Sequence, residues 1–450
     1  MNLTYGIKDR PSFGQTVLFA LQQLLAIMAA TIAVPAIIGN GMSQTAALFG
    51  AGVGTLVYLA FTKFKSPVFL GSSFAFLGSM SAAFAGAVSI QAGYAGLILG
   101  ALFAGLVYVV LALIVKAVGT AWIDKIMPAV VIGPTVAIIG LSLAGNAVGD
   151  LTGTNGLATS PYVSMICGLV TLAVTMLCSV YGKKMLKMIP FIIGILAGYA
   201  VATCFTVIGN ATNNAALVVI DFSKFQSITW VPDFTFIKAA KGLGEINGSY
   251  IATILVAYAP VAFVVFAEHI ADHKNLSTII GTDLLKDPGL DKTLLGDGIG
   301  SFAGAIFGGC PNTTYGESIG CVAISGNASV ITILYTACLA IIISFFGPFA
   351  TFLATIPGCV MGGVCIALYG FIAVSGLKMI QQVDLNDNKN LFVVSVILIA
   401  GVGGMSVSFG SVTITEVACA LILGILTNTI LKNKAPEPAK NTKGGKNKKK

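Results

Sequence analysis

Apolar runs of about 20 residues follow one another along nearly the whole 450-residue chain, and that is the length a helix needs to cross a bilayer core. Lipid offers no partner for backbone N–H and C=O groups, so each run must satisfy its own as a helix. A membrane β-barrel would alternate polar and apolar residues, and these runs do not. Hydrophobic residues make up 56% and charged ones 9%, with a mean hydropathy of +0.93. That exceeds what a soluble core of this size needs, so the chain reads as an all-α polytopic membrane protein. The first run, 13–38, follows Lys8, Asp9 and Arg10 with no small-residue cleavage site, and is expected to be retained as a span.

Fourteen candidate spans can be drawn, near 13–38, 45–62, 67–86, 92–115, 127–148, 161–181, 188–209, 249–270, 293–309, 312–325, 328–355, 357–377, 390–409 and 413–431. The third, ninth and tenth are weak or broken by glycine. Lys and Arg of short loops collect on the cytoplasmic side. With fourteen spans and an internal N-terminus (1–12), that side receives 22 of the 25 Lys and Arg residues, Lys125, Lys184 and Lys187 among them. The exceptions are Lys224, Lys238 and Lys241 of the long 210–248 segment. An odd count would invert the second half and spoil the agreement, so both termini are expected in the cytoplasm. The net charge of +8 gathers in the tail 432–450, which carries eight Lys and one Glu. A Pro/Gly/Lys-rich tail suits disorder beside anionic lipid rather than nucleic-acid binding. The nine cysteines fall mostly singly in apolar runs with no C-x-x-C pair, which reads as buried free thiols.

Two short stretches interrupt the pattern and resemble one another. Gly71-Ser72-Ser73-Phe74-Ala75-Phe76 follows Pro67, and Asn312-Thr313-Thr314-Tyr315-Gly316-Glu317 follows Pro311. Each reads hydroxyl, hydroxyl, aromatic, small, then a side chain that differs. They lie 241 residues apart, near half the chain, and an odd number of spans per half would make the copies inverted. Paired Gly/Pro-interrupted segments point to a midplane transporter site, although Ser and Thr also serve helix packing in membranes.

Ionisable groups inside spans are few. Glu268, His269, Asp272 and His273 cluster at the end of the eighth span, with both histidines of the chain among them, and Glu317 stands in the tenth. On a helix Glu268 shares a face with Asp272 at i+4 and roughly with His273. At roughly 3 kcal/mol for each mid-membrane carboxylate, two cost on the order of 6 kcal/mol. An internal ion pair or a ligand must offset that. Interrupted helices at 72–74 and 313–317 would present free backbone N–H groups beside carboxylates that accept hydrogen bonds. This combination suits a small, flat, polar molecule carrying N–H donors and carbonyl acceptors. A buried Glu near a His can also exchange a proton as its surroundings wet and dry, which would link substrate binding to proton binding. Asp272 and His273 read equally as structural groups, and the roles of Asp297 and Glu416 stay open.

These residues resemble those of a known family. From GQTVLFALQQLLAIMAATIAVP through FLGSSFAF, VFAEHI, DLLKDPGL, PNTTYGESIG and PGCVMGGVCIALYG to the last span, the chain is similar to the bacterial uracil permeases of the nucleobase/ascorbate transporter family. The resemblance implies fourteen transmembrane segments in a 7+7 inverted repeat, with short extended stretches in spans 3 and 10. A core domain would comprise spans 1–4 (13–118) and 8–11 (249–355). A gate domain would comprise spans 5–7 (119–209) and 12–14 (356–431), and 210–248 would be extracytoplasmic. Also implied are a bacterial inner-membrane location, a homodimer, and import of uracil with a proton by alternating access.

Carried over position by position, Glu268 and Glu317 would accept the pyrimidine N–H groups, and backbone N–H at Phe74 and Gly316 would meet its carbonyls. Ser73, Tyr315 and Ser318 would line the pocket, Tyr369 would stand on the gate side, and Glu268 with His273 would couple the proton. No cofactor or metal is implied. The AEH and NTTYGE blocks point to uracil more than to xanthine or urate, which the same architecture could carry. The chain departs from the family pattern at Gln23, where His is usual, at Ser318, where Asn is usual, and mildly at Ser325, where Thr is usual. Ser318 shortens a hydrogen-bonding arm beside the pocket, which bears on the base selected.

Other signals carry less. Gly50-Ala51-Gly52-Val53-Gly54 resembles a dinucleotide loop but lies within a span, where glycines serve close packing. Asp283, Asp287, Asp291 and Asp297 have a metal-like spacing, yet DLLKDPGL reads as a solvated loop. Trp122 and Trp230 fit interfacial anchors. An ion channel is a second class, set apart by conductance without saturation. An enzyme is not indicated, since no nucleophile pairs with His outside the 268–273 cluster.

Overall fold

A computed structural model of the chain describes residues 3–120, 122–123, 128–153, 157–183, 186, 189–226, 228–409, 412–414 and 416–431. The basic tail and Lys125, Lys184 and Lys187 lie outside the described residues. Helices α1 (Phe13–Ile38) and α2 (Gln44–Phe61) lead to a break formed by strand β1 (Leu70–Ser72), a 3-10 turn and α3 (Leu77–Ala85), and then to α4 (Ile90–Val118). There follow α5 (Ala129–Ser142), α6 (Ala144–Leu151), α7 (Pro161–Tyr181), α8 (Pro190–Ala211) and the short α9 (Thr235–Gly242). The second half comprises α10 (Gly248–Ile280), α11 (Leu290–Gly308), β2 (Asn312–Thr314), α12 (Gly316–Ser325), α13 (Val330–Ser344) and α14 (Gly347–Thr355). It ends with α15 (Gly358–Ile380), α16 (Asn388–Val402), β3 (Val407–Phe409), β4 (Val412–Ile414) and α17 (Glu416–Ile430).

Among the described residues, eight helical spans are long and apolar enough to cross a membrane, and nine if the bent pair α13–α14 counts as one. Their length and composition make this a multi-pass membrane protein. The stretch Phe74–Ala85, α16 and α17 are shorter apolar helices, and α11 carries Asp291, Lys292 and Asp297 within its length. Helices α1–α4 pack with α10, α11 and α13, whereas α5–α8 pack with α15, α16 and α17.

Small residues set how closely these helices meet. A Cβ on Gly50 of α2 would stand 2.3 Å from the Gly304 carbonyl oxygen of α11, and one on Gly54 2.7 Å from that of Gly300. The glycine run in α2 is therefore a packing surface. In lipid, where no hydrophobic drive joins helices, such backbone approach supplies the dispersion contact that holds them.

The structure departs from the hydropathy reading in four places. Helix α10 continues ten residues beyond the expected end at 270, to Ile280, and stops where Gly281 takes φ +70. Loss of apolar residues there marks the end of lipid contact, not of the helix, so His273 lies inside the helix. The eleventh span bends by 82° between α13 and α14, where Pro348 in the first turn of α14 cannot continue the hydrogen-bond ladder. Strands β3 and β4 pair antiparallel, Val407 with Ile414, in a stretch expected to be helix at both ends. Trp122 is partly buried and stacks on Phe266 with centroids 6.4 Å apart, whereas Trp230 is exposed beside Phe346. The nine cysteines are free thiols, three of them not fully buried.

Candidate substrate site

The two interrupted segments meet. Leu70, Gly71 and Ser72 pair antiparallel with Thr314, Thr313 and Asn312, and Ser73 N–H donates to the Pro311 carbonyl at 2.9 Å. Each break thus satisfies the other's backbone groups, as an apolar surround requires. Each strand also feeds a helix, β1 into the turn at Phe74 and β2 through Tyr315 into α12. Two helix N-termini with their unpaired first N–H groups are therefore brought together. Gly71 is needed for this approach, because a Cβ there would stand 2.3 Å from Cζ of the Tyr315 ring. The ring is seated by its hydroxyl, which donates to the Ser72 carbonyl at 2.7 Å.

Beside the start of α12 lies a cavity of about 350 Å³. Glu268 and Asp272 reach it from α10, Gly316 and Glu317 from α12, and the facing wall comes from α15, through Leu368, Phe371 and Ser375, and from Phe191 of α8. Asp272 is tied to the strand pair, its Oδ2 accepting from Thr314 Oγ1 at 2.7 Å. Neither Glu268 nor Glu317 forms an ion pair among the described residues, so no internal counter-charge answers the expense of burying them. The cavity offers carboxylate acceptors on one side, backbone N–H donors at the α12 terminus, and an apolar facing wall. Small-ligand sites have this composition, a mostly apolar surface with a few convergent polar groups.

Of the residues expected to form the site, Glu268, Gly316 and Glu317 line the cavity together. Phe74 and Tyr369 meet edge to face with centroids 5.8 Å apart, and both are buried. Ser73 and Tyr315 are buried at the strand–helix junctions, the Ser73 hydroxyl without a hydrogen-bond partner among the described residues. Ser318 is fully buried against Gln23 and Phe69, apart from the cavity wall.

His273 is likewise fully buried outside the cavity, with Nε2 2.7 Å from the Tyr58 hydroxyl and Nδ1 2.7 Å from the His269 carbonyl oxygen. Its ring stacks on His269 at 4.0 Å. His269 in turn bridges Asp297 Oδ2 at 2.7 Å and Thr293 Oγ1 at 3.0 Å. Asp297 therefore belongs to a buried polar chain between α10 and α11, and the solvated loop ends before it. The residue that sequence reasoning left out of the site is Asp272, and its i+4 spacing from Glu268 was the available signal. No group of three His, Cys, Asp or Glu suited to a metal ion occurs among the described residues.

Comparison with known proteins agrees with this architecture. The transmembrane domain of the cyanobacterial bicarbonate transporter BicA superposes with a TM-score of 0.63 at 15% identity, covering 94% of this chain and 98% of that one. That likeness establishes a shared fold. In sequence, the uracil permease of Bacillus caldolyticus is 40% identical over 441 residues, 97% of this chain and 96% of its own. The uracil permease of Escherichia coli K12 is 36% identical over 431 residues, 95% and 94% of the two chains. Residues 14–409 match the profile described as the Permease family, and with relatives of this kind along nearly its whole length the chain belongs to that family, among the bacterial uracil permeases.

Proposed function

We propose that the chain imports uracil together with a proton by alternating access across the bacterial inner membrane. The observation that carries this reading is the meeting of Glu268 and Glu317, from elements far apart in sequence, in one cavity beside paired helix N-termini. Uracil presents N–H donors for the two carboxylates and carbonyls for backbone N–H groups, Gly316 being at hand and Phe74 close by. Ser73, Tyr315 and Tyr369 shape the surroundings of that pocket, and Ser318 supports it from behind. Glu268 takes the coupled proton, and His273 assists through the buried chain behind α10.

In this reading the chain crosses the membrane fourteen times as a 7+7 inverted repeat with both termini cytoplasmic. Residues 13–118 and 249–355 form a core that carries the site, and 119–209 and 356–431 a gate that closes over it. The packing of α1–α4 with α10, α11 and α13, and of α5–α8 with α15–α17, supports that division. Movement of one bundle against the other would open the cavity to each side in turn. A homodimer in the bilayer, in contact with lipid, completes the proposal.

The test is uptake of labelled uracil by proteoliposomes with and without an imposed pH gradient, competed by unlabelled bases. Saturable uptake accelerated by an inward proton gradient is expected. Competition by xanthine at low concentration with none by uracil would reassign the substrate, and conductance without saturation would replace the carrier by a channel.

A further inference from the structure

The chain ahead of α1 reads Leu3-Thr4-Tyr5-Gly6-Ile7-Lys8, with a large apolar or aromatic side chain at every second position, the alternation of a strand that covers one surface. Leu3 and Ile7 pack on the core and Tyr5 is half-buried, whereas Thr4 and Lys8 are exposed. This segment runs parallel to the 326–330 turn that joins α12 to α13, with Tyr5 bridged to Asn327. The Thr4 and Tyr5 N–H groups both donate to the Gly326 carbonyl, at 2.8 and 3.1 Å. In return Ala328 N–H donates to the Tyr5 carbonyl at 2.9 Å and Val330 N–H to that of Ile7 at 3.2 Å. Ser329 Oγ adds a bond to the Asp9 carbonyl at 2.7 Å. The segment is also fixed to α1, since the Tyr5 hydroxyl donates to Gln15 Oε1 at 3.0 Å and its ring meets Phe19 edge to face.

What the segment grips is the far end of the helix that carries the site. Helix α12 has ten residues, too few for a helix to hold its shape unaided. It packs on α1 and α10, but its surface is open at Gly316 and, one turn on, at Gly320, where a Cβ would meet nothing within 4 Å. No packing on that side resists a tilt, so the ends of the helix must. The first turn is held by the β1–β2 pairing and by Gln23 of α1, which donates to the Ser318 carbonyl at 3.2 Å. The last turn closes at Gly326, whose φ is +66, and the bonds to residues 4–9 tie it back to the same α1. One element thus holds α12 at both ends, and the hold on the last turn is made almost wholly by main-chain groups.

We propose that residues 3–9 are a positioning strap for the substrate site: bound to the 326–330 turn, they keep α12 from tilting and so set where Gly316 and Glu317 present their groups. At 1.5 Å per residue Gly326 stands roughly 14 Å along the helix from Glu317, so the strap acts through α12 and does not touch the base. It rests on the uracil reading for its ligand, and on the paired main chain for its action. Tyr5 and Ser329 are the positioning residues, the first by its N–H and its seat on α1, the second by its hydroxyl.

The experiment uses the full chain in lipid nanodiscs and compares it with a variant lacking residues 3–8, reading equilibrium uracil binding and amide hydrogen exchange along 316–325. Removal of the strap is expected to raise Kd for uracil several-fold and to speed exchange in α12, while the fraction of chains that bind stays that of the parent. Tyr5→Pro, which takes away one N–H to Gly326, should shift both readouts in the same direction. Tyr5→Ala keeps that N–H and should shift them less. Should the shortened chain fail to fold, Tyr5→Pro combined with Ser329→Ala decides in its place. A parent-like Kd without the strap overturns the proposal, whatever the exchange does. So does a smaller binding fraction in which the remaining chains keep the parent Kd, since the strap would then serve folding alone. A parent chain that binds no uracil would sink the uracil reading instead, and exchange at 316–320, faster or unchanged without the strap, would then support or overturn the strap by itself.

Discussion

Gln23 of α1 donates through Nε2 to both the hydroxyl and the carbonyl of Ser318, the carbonyl at 3.2 Å, across 295 residues of sequence. The same hydroxyl accepts from Phe69 N–H at 3.1 Å. The two principal positions at which the chain departs from the pattern it resembles are thus a single contact. The long arm of Gln23 meets the short arm of Ser318, and together they fix the first turn of α12, one residue beyond Glu317. Ser318→Ala keeps the carbonyl that Gln23 also reaches, but leaves one amide N–H of Gln23 and the Phe69 N–H short of an acceptor, at about 1–3 kcal/mol. A lower melting temperature and weaker uracil binding are expected from Ser318→Ala and from Gln23→Leu. The double variant should lose less than the sum of the two, as partners in contact do. Additive losses in that cycle would show that the contact carries no energy.

Gly71→Ala tests the seat beneath Tyr315. The new methyl would overlap the ring at 2.3 Å, and pairing with β2 together with the Thr55 hydroxyl that accepts from Leu70 N–H gives strand β1 little room to retreat. Displacement of Tyr315 would disturb the residue that begins α12 and with it the position of Glu317. Loss of most uracil uptake is expected. Tyr315→Phe keeps the ring and removes only the hydrogen bond to the Ser72 carbonyl, which amounts to about 1 kcal/mol and should leave transport measurable. Equal damage from the two variants would mean that the hydroxyl, not the ring position, is what Gly71 protects.

How much of this could be read from sequence follows from the range of each interaction. Apolar run length marked the helices because every lipid-facing turn obeys the same solvation rule. Glu268 and Glu317 stood out because carboxylates are so rare in those runs. The matching breaks at 71–76 and 312–317 were visible as composition, but their antiparallel register, Gly71 opposite Thr313, depends on the fold. The Gln23–Ser318 contact and the His269–Asp297 pair join helices through space and leave no periodic trace. Helix α10 passed unnoticed beyond residue 270 because hydropathy reports lipid exposure, and a helix can leave the lipid without ending. The β3–β4 hairpin is too short to generate an alternating pattern.

Asp272 adds a third carboxyl group to the cavity, and its bond from Thr314 couples α10 to the strand pair. Asp272→Asn retains an acceptor for the Thr314 hydroxyl while removing the charge. Its melting temperature should stay close to that of the parent chain, while the pH profile of uptake shifts. Thr314→Val removes the bond and leaves the carboxylate, so it should lower both stability and uracil affinity, by about 1 kcal/mol or somewhat more. A reversed pattern, with Asp272→Asn unfolding the protein and Thr314→Val silent, would assign Asp272 a purely structural role.

Glu317 and Glu268 share the cavity but stand on different supports, and this separates their expected defects. Glu317 belongs to the first turn of α12, where the free backbone N–H groups also lie, so a ligand held by one is held by both. Glu317→Ala should abolish high-affinity uracil binding measured at equilibrium with no gradient present. Hydrogen bonds to a charged acceptor contribute about 1.5–3 kcal/mol each, and their loss is enough to lower affinity by one to two orders of magnitude. Glu268 projects from the continuous helix α10, whose buried face carries His269 and His273. Glu268→Gln can still accept a hydrogen bond through its amide oxygen, but an amide does not take up a proton. Residual uracil binding is therefore expected, with slowed uptake that an imposed pH gradient no longer accelerates. Should Glu268→Gln respond to the gradient as the parent chain does, the proton travels by another group, and Asp272, one helical turn away in the same cavity, becomes the carboxyl to test.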